Sequence, residues 1–309
     1  MKTLLSFITI AILSSNIFAQ NSAILKYNLE SGKTYKVKAV TVQDQKTTMQ
    51  GMERNAETTN TVYFSLKALS AKEDFFMAEI HFDTIINTNS MPQMVINSSK
   101  PGDINSQNPI DVMECILNRY SKTALVVQLD YTGHVKEILN YNVIKENVLS
   151  GMDSLSGQAM MAKAQIEMMM DKQAIQGMIE SITAYLPNQE VKKNDTWESK
   201  VISASGGIGM EITSTNKLKD IADNKASITA DVVVEPAVTD KPTVMNGAEI
   251  TSEIRGLGKS ESEVDITTGW VISSSSTTQL SGNMNLKMPG QEMQIPMEMK
   301  ISTEVTAID

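Results

Sequence analysis

The chain has 309 residues, 41% of them hydrophobic and 20% charged, which are the proportions of a globular protein rather than of a disordered or collagen-like one. Its 27 Lys+Arg against 36 Asp+Glu give a formal charge of -9, so nucleic acid is excluded as a natural partner and a basic docking surface for anionic lipid heads is disfavoured. Two histidines (His81 and His134) and a single cysteine (Cys115) leave little material for zinc sites, Ser/His triads or internal disulfides.

Residues 1–19 have the layout of a secretory signal peptide. Lys2 supplies the positive start, Leu4 to Leu13 the apolar stretch, and Ala19 the small residue before a cut at Gln20. The stretch is too short for a good membrane span, and no Cys near the cut offers a lipid anchor. The expected product is periplasmic or secreted, with no transmembrane segment once the signal is removed.

Residues 20–140 read as an N-terminal antiparallel β half with one short helix. Val62, Phe64, Leu66 and Ala68 alternate with polar neighbours, and after a turn at Ser70–Asp74 the residues Phe76, Ala78, Ile80 and Phe82 repeat the pattern. His81 falls on the opposite face beside Glu79 and Asp83, which reads as a surface histidine. The helix is expected from Asn108, a good N-cap, and Pro109 at the first helical position. Cys115 then shares an apolar stripe with Val112 and Ile116, as a buried structural thiol. A hairpin turn follows at Asp130-Tyr-Thr-Gly-His134.

Residues 141–187 lose the alternation and read as a Met-rich helical segment. Asn142 to Leu149 form one helix closed by Ser150-Gly151, and a second stretch runs near a 3.6-residue period through Met161, Ala164, Met168, Ile175, Met178, Ile179 and Ile182. Gly177 is expected to weaken that helix and mark a bend. Two readings of this face stand side by side: helices that cover an open sheet, or one wall of a groove for a lipid or hydrophobic peptide, with flexible thioethers adapting to the occupant. Copper(I) is a third reading, weakened by the absence of His or Cys within the segment.

Residues 188–309 read as a C-terminal antiparallel β half. Met293, Ile295, Met297, Met299, Ile301, Thr303 and Val305 alternate with Glu292, Gln294, Pro296, Glu298, Lys300, Ser302 and Glu304. Leu280, Met284, Leu286 and Met288 form the partner strand, reached across Pro289-Gly290. Pro296 cannot donate to a ladder, which suggests an edge there. Ser273 to Thr278 reads as polar strand, and Gly206-Gly-Ile-Gly209 as a bend rather than a phosphate loop. The turn Asp265-Ile-Thr-Thr-Gly269 echoes the one at Asp130, and Met49-Gln-Gly-Met-Glu53 echoes Met288-Pro-Gly-Gln-Glu292.

No nucleophile elbow, phosphate loop, dinucleotide fingerprint or zinc helix occurs, so no catalytic residues, metal ligands or cofactors are assigned. The start Leu25-Lys-Tyr-Asn-Leu-Glu-Ser-Gly-Lys-Thr-Tyr35, the Met49–Glu53 turn, Leu186-Pro-Asn-Gln-Glu-Val-Lys-Lys-Asn-Asp-Thr-Trp197 and the Thr-Gly-x-Val hairpins resemble a group of uncharacterised secreted proteins of Bacteroidota. Relatives in that group often carry Gly where this chain has Asn194, which also tolerates positive φ. At a coarser level, the pattern resembles the periplasmic lipoprotein-carrier fold.

The expected architecture is therefore β-rich α+β, with two curved antiparallel sheet halves and the helical segment between them. The expected function is a non-enzymatic envelope protein binding a hydrophobic ligand, a lipid or an acylated peptide, along Met161, Met168, Ile175, Met178 and Ile182. The alternatives are a structural or protein-interaction module that recruits another envelope protein through its edge strands, and an exported hydrolase using a carboxylate pair.

Overall fold

In the computed structural model, which describes residues 22–309 apart from 50, 92, 156–159, 206–207, 238–242, 246–247 and 289, the alternating runs become long paired strands. The expected signal peptide lies outside the described residues, as do Gly206 and Gly207. Strands β2 (Thr34–Met49), β3 (Met52–Ala71) and β4 (Phe76–Ser90) form an antiparallel meander. Phe64 sits opposite Phe82, Leu66 opposite Ile80 and Ala68 opposite Ala78, so the apolar faces of the two alternating runs meet. Strands β15 (Val271–Met288) and β16 (Gln291–Ile308) form the second long hairpin, with Leu280 opposite Met299 and Met284 opposite Ile295. Both methionine-containing echoes are hairpin tips, and Gly51 and Gly290 take the left-handed conformation there.

The two sequence halves do not form two sheets. Strand β16 pairs β2 from Met297↔Thr47 to Ile308↔Lys36, so Pro296 lies just where this pairing stops. Fourteen strands among the described residues thus share one antiparallel sheet. From β2 it continues through β3 and β4 to β6 (Leu125–Leu129) and β7 (Val135–Ile138). From β16 it continues through β15 to β14 (Arg255–Asp265), β11 (Lys225–Pro236), β10 (Ile208–Ala222) and β9 (Thr196–Ser205). Short strands β5 (Gln93–Asn97), β12 (Thr243–Met245) and β13 (Ala248–Ser252) branch from this path, beside β4 and β15. A separate two-stranded ribbon pairs β1 (Ser22–Leu25) with β8 (Gln189–Lys192).

Helix α1 (Pro109–Ser121) starts as its sequence dictates: Asn108 Oδ1 accepts from the Ile110 N–H at 3.1 Å, with Pro109 at N1. Val112, Cys115 and Ile116 are buried. Helices α2 (Tyr141–Leu149), α3 (Met160–Met169) and α4 (Lys172–Thr183) follow. The stretch expected as one helix bent at Gly177 is two helices. The break falls at Asp171, whose carboxylate accepts from the Gln173 N–H at 2.8 Å and so caps α4. Gly177 serves packing instead: a Cβ there would overlap the Ile202 carbonyl oxygen of β9. Because α4 also packs on β7, it lies against both terminal strands of the sheet's main path.

The turn echo is structural. Asp130 Oδ1 accepts from Thr132 N–H (2.9 Å) and His134 N–H (3.0 Å), while Asp265 Oδ1 accepts from Thr267 N–H (2.9 Å) and Thr268 N–H (2.8 Å). These turns grip one passing segment, since Tyr27 N–H donates to Tyr131 O and Asn28 N–H to Thr268 O. Gly133, at φ 98°, brings the first turn against the Thr183 carbonyl, where no side chain fits. Trp270 lies within ring-contact distance of both Tyr27 and Tyr35 at this base, and the Tyr27 hydroxyl donates to Thr183 O at 3.0 Å.

Candidate functional site

One face of the sheet carries two separate apolar clusters. The larger joins Val37, Phe64, Ile80 and Phe82 of the strands to Val112 and Ile116 of α1, Ile144 and Val148 of α2, Ile166 of α3, and Ile175 and Ile179 of α4. Helices thus cover one end of this face, and the residues expected to line a ligand groove lie on two of them, α3 and α4. Ile175 is fully buried in the cluster, and Met178 and Ile182 are half-buried against it. Met168 is half-buried on α3, and Met161 also falls in α3, with its side chain outside the described residues. The structure therefore brings Ile175, Met178 and Ile182 together as packing against the sheet.

The second cluster lies farther along the same strands. Val232 and Val234 of β11, Ile254, Leu280 of β15, and Ile295 and Met297 of β16 are buried, with Met210, Ile212, Met284, Leu286, Met293, Met299 and Ile301 half-buried around them. Five methionines on strands line this patch. Four of them lie on the β15–β16 hairpin, where their spacing reads as ordinary strand alternation, and the pairing through β14 and β11 to β10 brings Met210, Val232 and Val234 to the same patch.

Between the clusters runs a polar row, one residue per strand. Asn87, Asn60, Thr41, Thr303, Ser276 and Ser260 are successive cross-strand partners, continued by Ala230 and Asn216. Neighbours in such a row stand about 4.8 Å apart. Asn87 Nδ2 donates to Asn60 Oδ1 at 2.5 Å, and the Thr41 and Thr303 hydroxyls are 3.0 Å apart. The six named side chains are half-buried.

This face is also uncharged. On β2 from Tyr35 to Thr47, β3 from Ala56 to Phe64, β16 from Met293 to Ala307, β15 from Ser274 to Leu286 and β14 from Gly256 to Val264, none of its residues is Asp, Glu, Lys or Arg. The same holds for β11 from Ala226 to Val234 and β10 from Met210 to Leu218. Arg54 is the charge at the rim, opposite Thr47. The uncharged face is the more enclosed one: along β14, Gly256, Gly258, Ser260 and Ser262 are half-buried, whereas Arg255, Leu257, Lys259 and Glu261 are exposed.

The charged face bears a trough of ≈ 960 Å³ across β14, β15, β16, β2 and β3, with Lys46, Glu57, Arg255, Glu298 and Lys300 among its walls. Two of its cations pair with carboxylates outside its walls: Lys46 with Glu53 at 2.8 Å and Arg255 with Glu235 at 2.9 Å. We assign it to solvent, because the ion pairs beside it are exposed and such pairs contribute little. A smaller hollow of ≈ 130 Å³ lies among Lys26, Tyr27, Phe76 and Tyr131.

The titratable groups are arranged for structure. Glu180 on α4 accepts from Val135 N–H (2.9 Å) and Gln176 Nε2 (3.0 Å), and His134 Nδ1 lies 3.6 Å from its other oxygen. Burial pushes Glu180 up, but the hydrogen bonds from His134, Gln176 and Val135 outweigh it, so its pKa lies below the ordinary value. His134 is raised, chiefly by its hydrogen bond to Glu180. Buried Glu114 on α1 accepts from Asn97 N–H and Lys100 Nζ. His81 Nε2 lies 3.0 Å from Glu79 Oε1. The two buried carboxylates thus sit on different helices with partners of their own. Among the described residues, no group of three or more His, Cys, Asp or Glu side chains is placed to hold a metal ion. No helix there is long and apolar enough to cross a membrane.

Among solved structures, the chain is similar to a lipovitellin described for its lipid–protein interactions, at 9% identity and a TM-score of 0.47 over 91% of this chain. It spans 26% of that lipovitellin chain, about a quarter of its length. An outer-membrane channel of Pseudomonas putida F1 overlaps 91% of this chain and 97% of its own at 6% identity and a TM-score of 0.22. OpdO of Pseudomonas aeruginosa overlaps 90% and 98% respectively, at 6% identity and a TM-score of 0.23. No curated protein matches the chain. The family that does match covers residues 73–271: the chain belongs to DUF6263, a family of unknown function.

Proposed function

We propose that this protein is an exported, non-enzymatic binding protein that holds an acyl chain on the enclosed face of its sheet, at the methionine-lined cluster. The observation that carries the reading is that cluster: seven apolar side chains left half-buried on strands, on the face whose other end the helices cover. Each methylene moved from water onto such a surface contributes about 0.8 kcal/mol. About ten methylenes thus supply roughly 8 kcal/mol before the losses of association. Methionine suits the task because three rotatable bonds and a polarisable sulfur let it follow chains of differing shape. The export part of the reading is supported by Lys2, the apolar run Leu4 to Leu13 and Ala19. Recruitment of an envelope partner through terminal strands has less support, because α4 lies against both β7 and β9.

The test is to purify the chain from its own cells without detergent, extract it with solvent and identify the released lipid by mass spectrometry. A Met284→Glu/Met299→Glu double variant, altered only at half-buried positions, serves as control. The proposal expects a stoichiometric acylated molecule in the wild type and its loss from the folded variant. An empty wild type, or equal loading of both proteins, overturns it.

A further inference from the structure

We infer that the head of the ligand is uncharged and hydrogen-bonding, of the glyceride kind, and lies on the polar row while its acyl chain runs toward the methionines. The inference rests on the acyl-binding reading above and adds the class of head.

Its basis is the division of charge between the two faces. On the same strands that present Thr41, Ser260 and Thr303 inward, Lys38, Asp44, Lys259 and Lys300 point outward. An anionic head placed on the inner face gives up its water and meets no cation in exchange, which strongly disfavours binding. The rim cation Arg54 does not serve, because it stands six residues along β3 from Asn60, about 20 Å at the rise of a strand. Hydroxyl and ester groups, by contrast, need only donors and acceptors. The row supplies both: among the described residues, the hydroxyls of Ser260 and Ser276 have no hydrogen-bond partner in the protein, and Asn60 uses its amide oxygen toward Asn87. Geometry joins head to tail. From Thr303 to Met299 along β16 is four residues, about 14 Å, so one molecule reaches both the row and the sulfur-lined patch.

The experiment compares monooleoylglycerol with ionised oleate, which share one chain and differ in head, by equilibrium dialysis against the delipidated mature protein. The expected result is that monooleoylglycerol binds at least about tenfold more tightly. Thr303→Lys, which puts a cation into the row, is expected to narrow or reverse that preference. Arg54→Ala is expected to leave it unchanged and stays informative if the lysine variant does not fold. Equal binding of both probes overturns the inference and leaves acyl binding intact. Tighter binding of oleate that is lost in Arg54→Ala overturns the head assignment in favour of a rim cation. Failure of both probes to bind overturns the acyl-binding reading as well.

Discussion

Replacing Gly177 with alanine tests whether α4 is seated against the edge strand β9. In a solvent-facing helix position this change stabilises by about 1 kcal/mol, because alanine is the better helix former. Here the added Cβ overlaps the Ile202 carbonyl oxygen and approaches Ser203 Cα to 3.2 Å. Both neighbours are main chain, so no side chain can swing aside. The helix cannot retreat freely either, since Glu180 accepts from Val135 N–H and the Thr183 hydroxyl donates to Gly133 O at 2.7 Å. Overpacking of this kind costs about 3 kcal/mol at the upper end of its range. The net expectation is a loss of about 2 kcal/mol, or roughly 4 °C in the melting midpoint of a chain this long. Urea denaturation followed by far-ultraviolet circular dichroism measures it. A variant more stable than wild type refutes the packing of α4 on β9, and with it the account of how the sheet's ends are covered.

Further predictions concern the base and the interior. Removing the hydroxyl of Tyr120, buried with no hydrogen-bond partner among the described residues, in Tyr120→Phe is expected to raise stability by about 1 kcal/mol, whereas Tyr27→Phe, which loses the bond to Thr183 O, lowers it by a similar amount. Calorimetry of the two variants side by side gives the sign of each. The raised pKa of His134 contributes stability that is complete below about pH 6.5 and is lost as pH rises through its folded value. The lowered pKa of Glu180 contributes stability present above about pH 4.3 and lost as pH falls through its folded value. The pair therefore supports the fold most between those limits, and Glu180→Gln is expected to flatten the melting profile across that window. An unchanged profile contradicts the pairing. If the export reading holds, amino-terminal sequencing of the protein purified from its own cells begins at Gln20, and an intact Met1 contradicts cleavage.

Much of the fold was legible where one face of an element is apolar and the other polar. The β15–β16 hairpin, the antiparallel hairpin of the Phe64 and Phe82 runs and the Asn108–Pro109 helix start follow from local chemistry alone. The first half of β3 was not legible, because Asn55 to Thr61 place polar residues on both faces and leave no binary pattern. The joining of the two halves was hidden for a different reason. Thr41 and Thr303 are 262 residues apart, and no local signal marks a pairing between them. The candidate site shows both effects at once. Methionines at helical spacing drew attention as a helix face, whereas those of the β15–β16 hairpin read as plain strand alternation, and Met210, Val232 and Val234 join them only after the sheet forms. The polar row is invisible in any single strand, where each contributes one ordinary Ser, Thr or Asn. Gly177 likewise reads as a weakness of the helix until Ile202 is placed beside it.

The central claim is that the enclosed face holds an acylated molecule, and native mass spectrometry of the protein purified from its own cells tests it most directly. The account predicts a folded chain heavier than its mature sequence by one discrete lipid mass, released on activation and absent from the Met284→Glu/Met299→Glu variant. A folded wild-type chain at its bare sequence mass contradicts it.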